Sequence, residues 1–272
     1  MPELPEVETV TRALKGALTS RTILRAELFS PALRSPLAPL KKALPGRKIT
    51  WISRRARYIV AALDNGAALV IHLGMTGVVR IEKPDVPRRK HEHVFLYLDD
   101  GMVFRFEDVR RFGSLEVHPL GRTGLPEMFS AFGVEPLSAA FTPEYLFGRS
   151  RGVKTPVKNF LMDNTVVAGI GNIYAAETLF AAGVDPRRKT GTLTREQCRK
   201  IVRNARRILR GAIRAGGTTV SDFRQVDGSE GKFTVSLQVY GKAGRPCPVC
   251  GTLLDQVRIG GRSSVFCPRC QK

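Results

Sequence analysis

The chain has 272 residues, enough for two domains with cores of their own, and no apolar run in it is long enough to cross a bilayer. Its 44 Lys+Arg against 24 Asp+Glu leave a net charge of +20, carried on both halves of the chain rather than in one tail. That footprint suits a polyanion, nucleic acid first, and argues against an anionic membrane surface, because no amphipathic helix rich in exposed aromatics accompanies it.

The first ten residues, Met1-Pro2-Glu3-Leu4-Pro5-Glu6-Val7-Glu8-Thr9-Val10, are too short and too acidic for a signal peptide. Initiator Met is normally removed ahead of a small residue such as Pro, leaving Pro2 with a free secondary amine. An α-amino group has a pKa of ~8, so more of it is neutral and nucleophilic near pH 7 than of any Lys. Attack by such an amine on a sugar's anomeric carbon gives an iminium ion, an electron sink that favours elimination next door. Glu3 stands beside it as a proton shuttle. The same residues also fit a plain helix start, with Pro2 and Pro5 opening it and Glu6 and Glu8 favourable to its dipole.

Val7, Val10, Leu14 and Leu18 are spaced for one buried face of a helix over 5–18. Residues 31–47 are Pro-rich, with leucines that allow one short helix. From 48 to 118 the pattern turns to strands: Trp51–Ser53, Tyr58–Leu63, Ala67–His72, Val78–Ile81, Val94–Leu98, Met102–Phe106 and Ser114–Val117. Asp64-Asn65-Gly66 and Asp99-Asp100-Gly101 read as hairpin turns. No long helix separates these strands, so an antiparallel β-sandwich is expected. Residues 119–150 hold several Gly and Pro and little regular pattern, and read as the interdomain connection with short helical pieces. Thr155-Pro156 reads as cap and first-turn Pro of a helix over Val157–Met162, and Asn172–Ala182 as a second, stopped by Gly183. Thr194-Arg195-Glu196-Gln197 is a capping box opening a long helix whose apolar stripe includes Cys198, a core residue on this reading. Its other face carries Arg199, Arg203, Arg206, Arg207, Arg210 and Arg214, most of them expected on a solvated face. A strand is expected at Thr234–Tyr240. The fold class is therefore α+β and multidomain: a β-sandwich domain over 1–120 with its N-terminal helix, a connection over 121–150, a helical domain over 151–235, and a cysteine module over 236–272.

That module is the strongest single pattern. Cys247-Pro-Val-Cys250, sixteen intervening residues, then Cys267-Pro-Arg-Cys270 supply four thiolates for one structural Zn2+ with no position left for water. The hairpin between them has almost no core, so metal binding and local folding are coupled. Gly169-Ile170-Gly171-Asn172 ends a turn ahead of a helix, where backbone amides can meet a phosphate, and Lys154 and Lys158 are close in sequence. His72-Leu-Gly-Met75-Thr-Gly77 and Asp108-Val-Arg110-Arg111-Phe112-Gly113 are loops after strands. Proteins that extract a base must fill the hole, and Met, Arg and Phe do this; equally, such a residue can be core. His91 and His93 can meet phosphates or serve as ordinary surface residues. No Ser/His/Asp or His-metal constellation is present.

Together, Pro2-Glu-Leu-Pro-Glu-Val-Glu-Thr9, His72–Gly77, Arg110-Arg-Phe-Gly113, Met162-Asp-Asn164, Gly169-Ile-Gly-Asn-Ile-Tyr174 and the four-cysteine finger make a chain that resembles the bacterial formamidopyrimidine-DNA glycosylases along its whole length. The resemblance implies a helix–two-turns–helix domain beside the sandwich and finger, with DNA in the cleft between domains. It implies that Pro2 is the Schiff-base nucleophile and Glu3 the proton donor and acceptor. Met75, Arg110 and Phe112 would enter the duplex where the damaged base leaves; His91, Lys154, Lys158 and Asn172 would hold phosphates. Arg262 would contact the lesion phosphate and assist the second elimination, and residues 218–232 would cap the flipped purine.

The implied activity is a bifunctional glycosylase and abasic-site lyase acting on oxidised purines in double-stranded DNA. It would act as a monomer in the bacterial cytoplasm, associated with the nucleoid, with no organic cofactor and no membrane partner. One departure bears on mechanism: the family usually has Lys where this chain has Arg57, and a guanidinium holds a phosphate but is a poor proton shuttle. A second is Val153, in a stretch that is often wholly basic. An endonuclease VIII-type enzyme for oxidised pyrimidines remains an alternative, disfavoured by Pro2-Glu-Leu-Pro5. A non-enzymatic zinc-finger nucleic-acid-binding protein would explain the charge and cysteines but not the terminus.

Overall fold

The computed structural model describes residues 2–217 and 237–272. They fall into two compact units: residues 2–130 with 215–217, and residues 131–214 with 237–272. The loop expected over 218–232 and residues 234–236 of the expected strand lie outside the described residues.

The first unit begins with α1 (Leu4–Leu18), whose Leu4, Val7, Val10, Leu14 and Leu18 are buried, as the i, i+3/i+4 spacing predicts. Glu3 and Glu6 form a reciprocal capping box at its start, with Pro5 in the first turn. Eight antiparallel strands follow, interrupted after β1 by the one-turn helix α2 (Leu40–Ala43). They are β1 (Thr22–Leu28), β2 (Arg47–Arg55), β3 (Tyr58–Leu63), β4 (Ala67–His72), β5 (Gly77–Glu82), β6 (Glu92–Leu98), β7 (Val103–Asp108) and β8 (Ser114–Pro119). Their order is β5-β7-β6-β1-β2-β3-β4-β8. The sheet is nearly two: β1 and β2 pair only through Thr22–Lys48 and Ile23–Arg47. Two four-stranded halves fold about that seam, and one core draws Val79, Val94, Leu96, Phe104 and Phe106 from one half and Ile49, Ile59, Leu69, Ile71 and Leu115 from the other. That is the sandwich expected from alternating strands without crossover helices.

The second unit is helical. It contains α3 (Pro143–Ser150), α4 (Val157–Met162), α5 (Asn172–Ala182) and α6 (Arg195–Arg214). Thr142 caps α3 by accepting from the Tyr145 N–H at 3.0 Å. The Thr194–Gln197 capping box forms in both directions, at 3.1 Å each. Gly183 ends α5 in the left-handed region at φ 70°. The buried stripe of α6, with Cys198 fully enclosed, packs with Leu146, Val157, Phe160, Ile173 and Leu179. Burial pushes the Cys198 thiol up to about 11, which keeps it inert.

Two local expectations are corrected. Thr155 does not cap α4: Pro156 is the N-cap, and the Thr155 carbonyl instead accepts from the Thr190 N–H and hydroxyl. Residues 237–240 form bends and a turn rather than a strand. Their backbone is spent on a side chain: the buried Glu177 carboxylate accepts the N–H groups of Gln238, Val239 and Tyr240 at 2.8–2.9 Å. The chain closes with β9 (Asp255–Ile259) and β10 (Arg262–Phe266), a hairpin paired from Arg262–Ile259 to Phe266–Asp255.

Candidate functional site

In the first unit the strand register gathers the candidate residues at one end of the sheet. Tyr58 pairs with His72, His72 with Ser114, and Gly77 with Asp108, so the β2–β3, β4–β5 and β7–β8 connections share that end. Pro2 and Glu3 are buried immediately before α1. The Glu6 carboxylate accepts the Glu3 N–H at 2.8 Å, which fixes the backbone next to Pro2. Gly217 lies against the same carboxylate: a Cβ there would meet Glu6 Cγ at 3.1 Å and Oε1 at 3.2 Å, and its φ of 89° is open to Gly.

Arg57 sits in the tight β2–β3 turn beside Ala56, which adopts φ 53°. It is buried rather than waving in solvent. The turn is tied to α1: Arg54 donates to the Ala56 carbonyl at 2.8 Å and to Glu8 Oε2 at 2.9 Å. Burial pushes the Glu8 carboxyl up, but the bonds from Arg12 and Arg54 outweigh it and hold it below the usual carboxylate range. The helix that follows Pro2-Glu3 and the turn that carries Arg57 are thus joined by a partly buried ion pair.

The two candidate wedge loops are built as one object around Asp108, a fully buried carboxylate. Its Oδ1 accepts from the Thr76 hydroxyl at 2.5 Å and the Arg110 N–H at 3.2 Å, and its Oδ2 from the Gly113 N–H at 2.7 Å. Gly74 makes the contact close enough: a Cβ would stand 2.4 Å from the Gly113 nitrogen. Held this way, Met75, Arg110 and Phe112 are exposed together, Met75 at 37% and Phe112 at 49%, with the Arg110 guanidinium 4.8 Å from the Phe112 ring centre. They are therefore not core residues. His91 is partly exposed just before β6, and its carbonyl accepts the Asp108 N–H at 3.0 Å. His93, by contrast, is buried with Nε2 3.0 Å from the Asp108 carbonyl, a structural residue.

In the second unit, Lys154 is exposed ahead of α4 and Asn172 opens α5, its buried Oδ1 without a hydrogen-bond partner among the described residues. Arg262 is exposed at the hairpin tip. Lys158 needs a correction. It is fully buried, and its Nζ donates to the Ser263 carbonyl at 2.9 Å and the Ser264 hydroxyl at 2.5 Å. It holds β10 on α4 and has no surface to offer a phosphate. Beside it, Asn159 packs against Gly260, where a Cβ would meet its Oδ1 at 2.7 Å. The hairpin that displays Arg262 is thereby seated on α4.

Cys247, Cys250, Cys267 and Cys270 converge with all four Sγ atoms within 4.8 Å of one another. Cys247–Cys270 and Cys250–Cys267 are 3.9 and 3.6 Å apart, too far for disulfides. Tetrahedral Zn–S bonds of ~2.3 Å would put the sulfurs ~3.8 Å apart, so the donor set fits zinc. The N–H groups of Val249 and Cys270 point at Cys247 and Cys267 Sγ, an arrangement that supports thiolates.

Asp108, Thr76 and His72 lie in the loop motifs but carry no role that the sequence alone assigns. Asp two residues before an N–H it accepts is an Asx-turn pattern, which is readable in sequence. The reach from Asp108 to Thr76 is tertiary and is not.

The chain matches three family models: the formamidopyrimidine-DNA glycosylase N-terminal domain over residues 1–115, the formamidopyrimidine-DNA glycosylase H2TH domain over 132–224, and the zinc finger found in FPG and IleRS over 244–272. A formamidopyrimidine-DNA glycosylase of Stenotrophomonas maltophilia is 47% identical over the full length of both chains. Among solved structures, Lactococcus lactis Fpg bound to abasic-site DNA is 34% identical, with a TM-score of 0.91 and full coverage of both chains. A mutant of the same enzyme in complex with DNA containing Fapy-dG matches with the same identity, score and coverage.

Proposed function

The chain belongs to the formamidopyrimidine-DNA glycosylase family and is a DNA glycosylase with abasic-site lyase activity in DNA repair; from that premise we propose that it excises oxidised purines, 8-oxoguanine and formamidopyrimidines, through a Schiff base on Pro2 followed by β- and δ-elimination. The observation that carries this reading is the setting of the terminus. Pro2 and Glu3 are buried at the head of α1, Glu6 fixes the Glu3 backbone, and Arg54–Glu8 joins that helix to the Arg57 turn. A nucleophile needs such fixed geometry, whereas a plain helix start does not.

Once Met1 is removed, the Pro2 nitrogen attacks C1′ and the glycosidic bond breaks. The base leaves with a proton, and the sugar ring opens as an iminium. Loss of a C2′ proton expels the 3′ phosphate, and loss of a C4′ proton then expels the 5′ phosphate. Glu3 gives and takes protons, and Arg57 and Arg262 balance phosphate charge. Met75, Arg110 and Phe112 fill the vacated stack. His91, Lys154 and Asn172 hold the backbone of the double-stranded DNA. The four cysteines bind one Zn2+ that stiffens the hairpin under Arg262. The Lactococcus lactis complexes, with Fapy-dG and with abasic-site DNA, support this substrate class.

Borohydride reduction of a mixture of the processed protein and abasic-site duplex should give a covalent adduct through residue 2, identified by peptide mass. Protein shown by mass spectrometry to retain Met1 should give none, yet should still bind duplex, because affinity is spread over many phosphates. Undiminished excision by the Met1-retaining form would defeat the mechanism.

A further inference from the structure

The helix α6 carries eight Lys+Arg and one Glu in twenty residues. Its buried stripe is apolar but for Asn204, so this charge gathers on the remaining face. Arg199, Arg203, Arg207, Arg210 and Arg214 are exposed there, and Arg206 is half-buried. Among the described residues a single carboxylate pairs with this set, Glu196 with Arg199. Solvated helix faces normally mix signs, because like charges four apart repel; Arg199–Arg203, Arg203–Arg207, Arg206–Arg210 and Arg210–Arg214 are all such pairs.

Pro143 at the start of α3 and the arginines of α6 line a groove of about 510 Å3. Arg206 fixes its wall by donating to the carbonyls of Ser138 and Phe141 at 2.7 and 3.0 Å, and its buried Nε has no partner among the described residues. None of the lining residues belongs to the catalytic, wedge or phosphate-binding set described above.

We propose that this arginine ladder is a second docking surface for the phosphodiester backbone of DNA, separate from the residues that meet the lesion. Four residues of helix rise ~6 Å, and the ladder from Arg199 to Arg214 is ~22 Å long. One DNA strand presents a phosphate about every 3.4 Å of axis, so about six phosphates fall along it. Guanidinium forks suit phosphate oxygens, and contact relieves the repulsion within the ladder. A protein so equipped holds a neighbouring segment of undamaged duplex while the lesion site is occupied or empty.

The test uses full-length protein saturated with a short duplex carrying a non-cleavable abasic-site analogue, to which a fluorescent undamaged duplex is then added. The second duplex should bind, with an affinity that falls steeply with salt. The triple variant Arg203→Gln/Arg207→Gln/Arg210→Gln should lose that binding, or lower the magnitude of its log–log salt slope by ~2–3, since each phosphate contact contributes ~0.9. Gln is a good helix former, and an unchanged melting temperature verifies folding. Excision from a short lesion duplex should be unchanged, which separates failure of this proposal from failure of the glycosylase reading. A charge-matched control, Lys41→Gln/Lys42→Gln/Arg122→Gln, should retain second-duplex binding. Absence of a ternary complex, equal loss in the control, or binding of RNA with none of DNA would overturn the proposal.

Discussion

His72 ends β4 with its ring against Tyr58, and its Nδ1 accepts the Gly74 N–H at 3.1 Å. Burial first, then the charges of Arg34 and Arg57, push its pKa from 6.5 down to about 4, with Asp108 and Glu116 pulling the other way. The unfolded chain therefore takes up a proton between those values that the folded chain refuses. The stability this represents is full above pH 6.5 and is lost as pH falls toward 4, up to roughly 3 kcal/mol. His72→Asn places Oδ1 where Nδ1 was, so it keeps the acceptor for Gly74 without titrating. Urea unfolding at about pH 5 and pH 7.5 should show a larger acid loss in the wild type than in His72→Asn; equal losses would remove His72 from this account. Its neighbour Arg57 raises a different question, whether that position works by charge or by proton transfer. A guanidinium stays protonated at any working pH. Arg57→Lys should therefore retain most activity on both an oxidised-purine duplex and a preformed abasic site, and Arg57→Ala should lose it on both. A gain confined to elimination in Arg57→Lys would mean that the chain gave up an acid–base group there.

At the scale of elements, the proposed wedge is two loops held by one carboxylate. Asp108→Asn keeps the size but removes one acceptor, so the Gly113 N–H or the Thr76 hydroxyl loses its partner, at a cost of about 1–3 kcal/mol. The expected result is weaker engagement of lesion duplex, with single-turnover excision at saturating enzyme largely kept, because Pro2 is untouched. A fall in the saturated rate with unchanged affinity would place Asp108 elsewhere in the mechanism. The pieces that make up these loops were readable because they are local: the strands ending in His72 and Asp108 are short runs rich in apolar residues, and glycines mark the turns. Strand β1 was not readable. Its pairing with β6 shifts between Ile23 and Arg25, so Leu24 faces solvent at 57% exposure and the alternation breaks. Helix α3 was legible only as one of the short helical pieces expected over 119–150; its bounds were hidden because Tyr145-Leu146-Phe147 sit side by side instead of at helical spacing, although Thr142-Pro143 announces its start. Lys158 misled because a Lys in a first turn looks solvent-facing. Its partners lie 105 and 106 residues away in sequence, and only packing brings them together.

On the scale of the whole molecule, the described residues have separate cores, one in the sandwich and one in the helices, with a smaller cluster under the cysteines. That small cluster does not stand alone. Lys158 reaches β10, Glu177 gathers 238–240, Gln271 accepts from Cys267 N–H and donates to the Val184 carbonyl, and Lys272 exchanges backbone bonds with Gly183 and Asp185. Every one of these anchors runs to α4, α5 or the turn after α5. Removing zinc therefore cannot unfold the finger quietly. It leaves the buried Lys158 Nζ and Glu177 carboxylate without the partners that the finger and its approach supply, and such groups are costly when unpaired. Chelation should lower a thermal transition of the helical unit by ~5 °C or more, while the sandwich transition stays put. Hydrogen exchange should speed up over 237–272 and the segments of α4 and α5 that hold it, but not over β2–β4 or β6–β7. DNA binding should weaken as Arg262 loses its platform, and returning zinc should restore all three. Acceleration confined to the hairpin would mean that the anchors carry little of the load. Equal acceleration in the sheet would mean that the two cores melt as one.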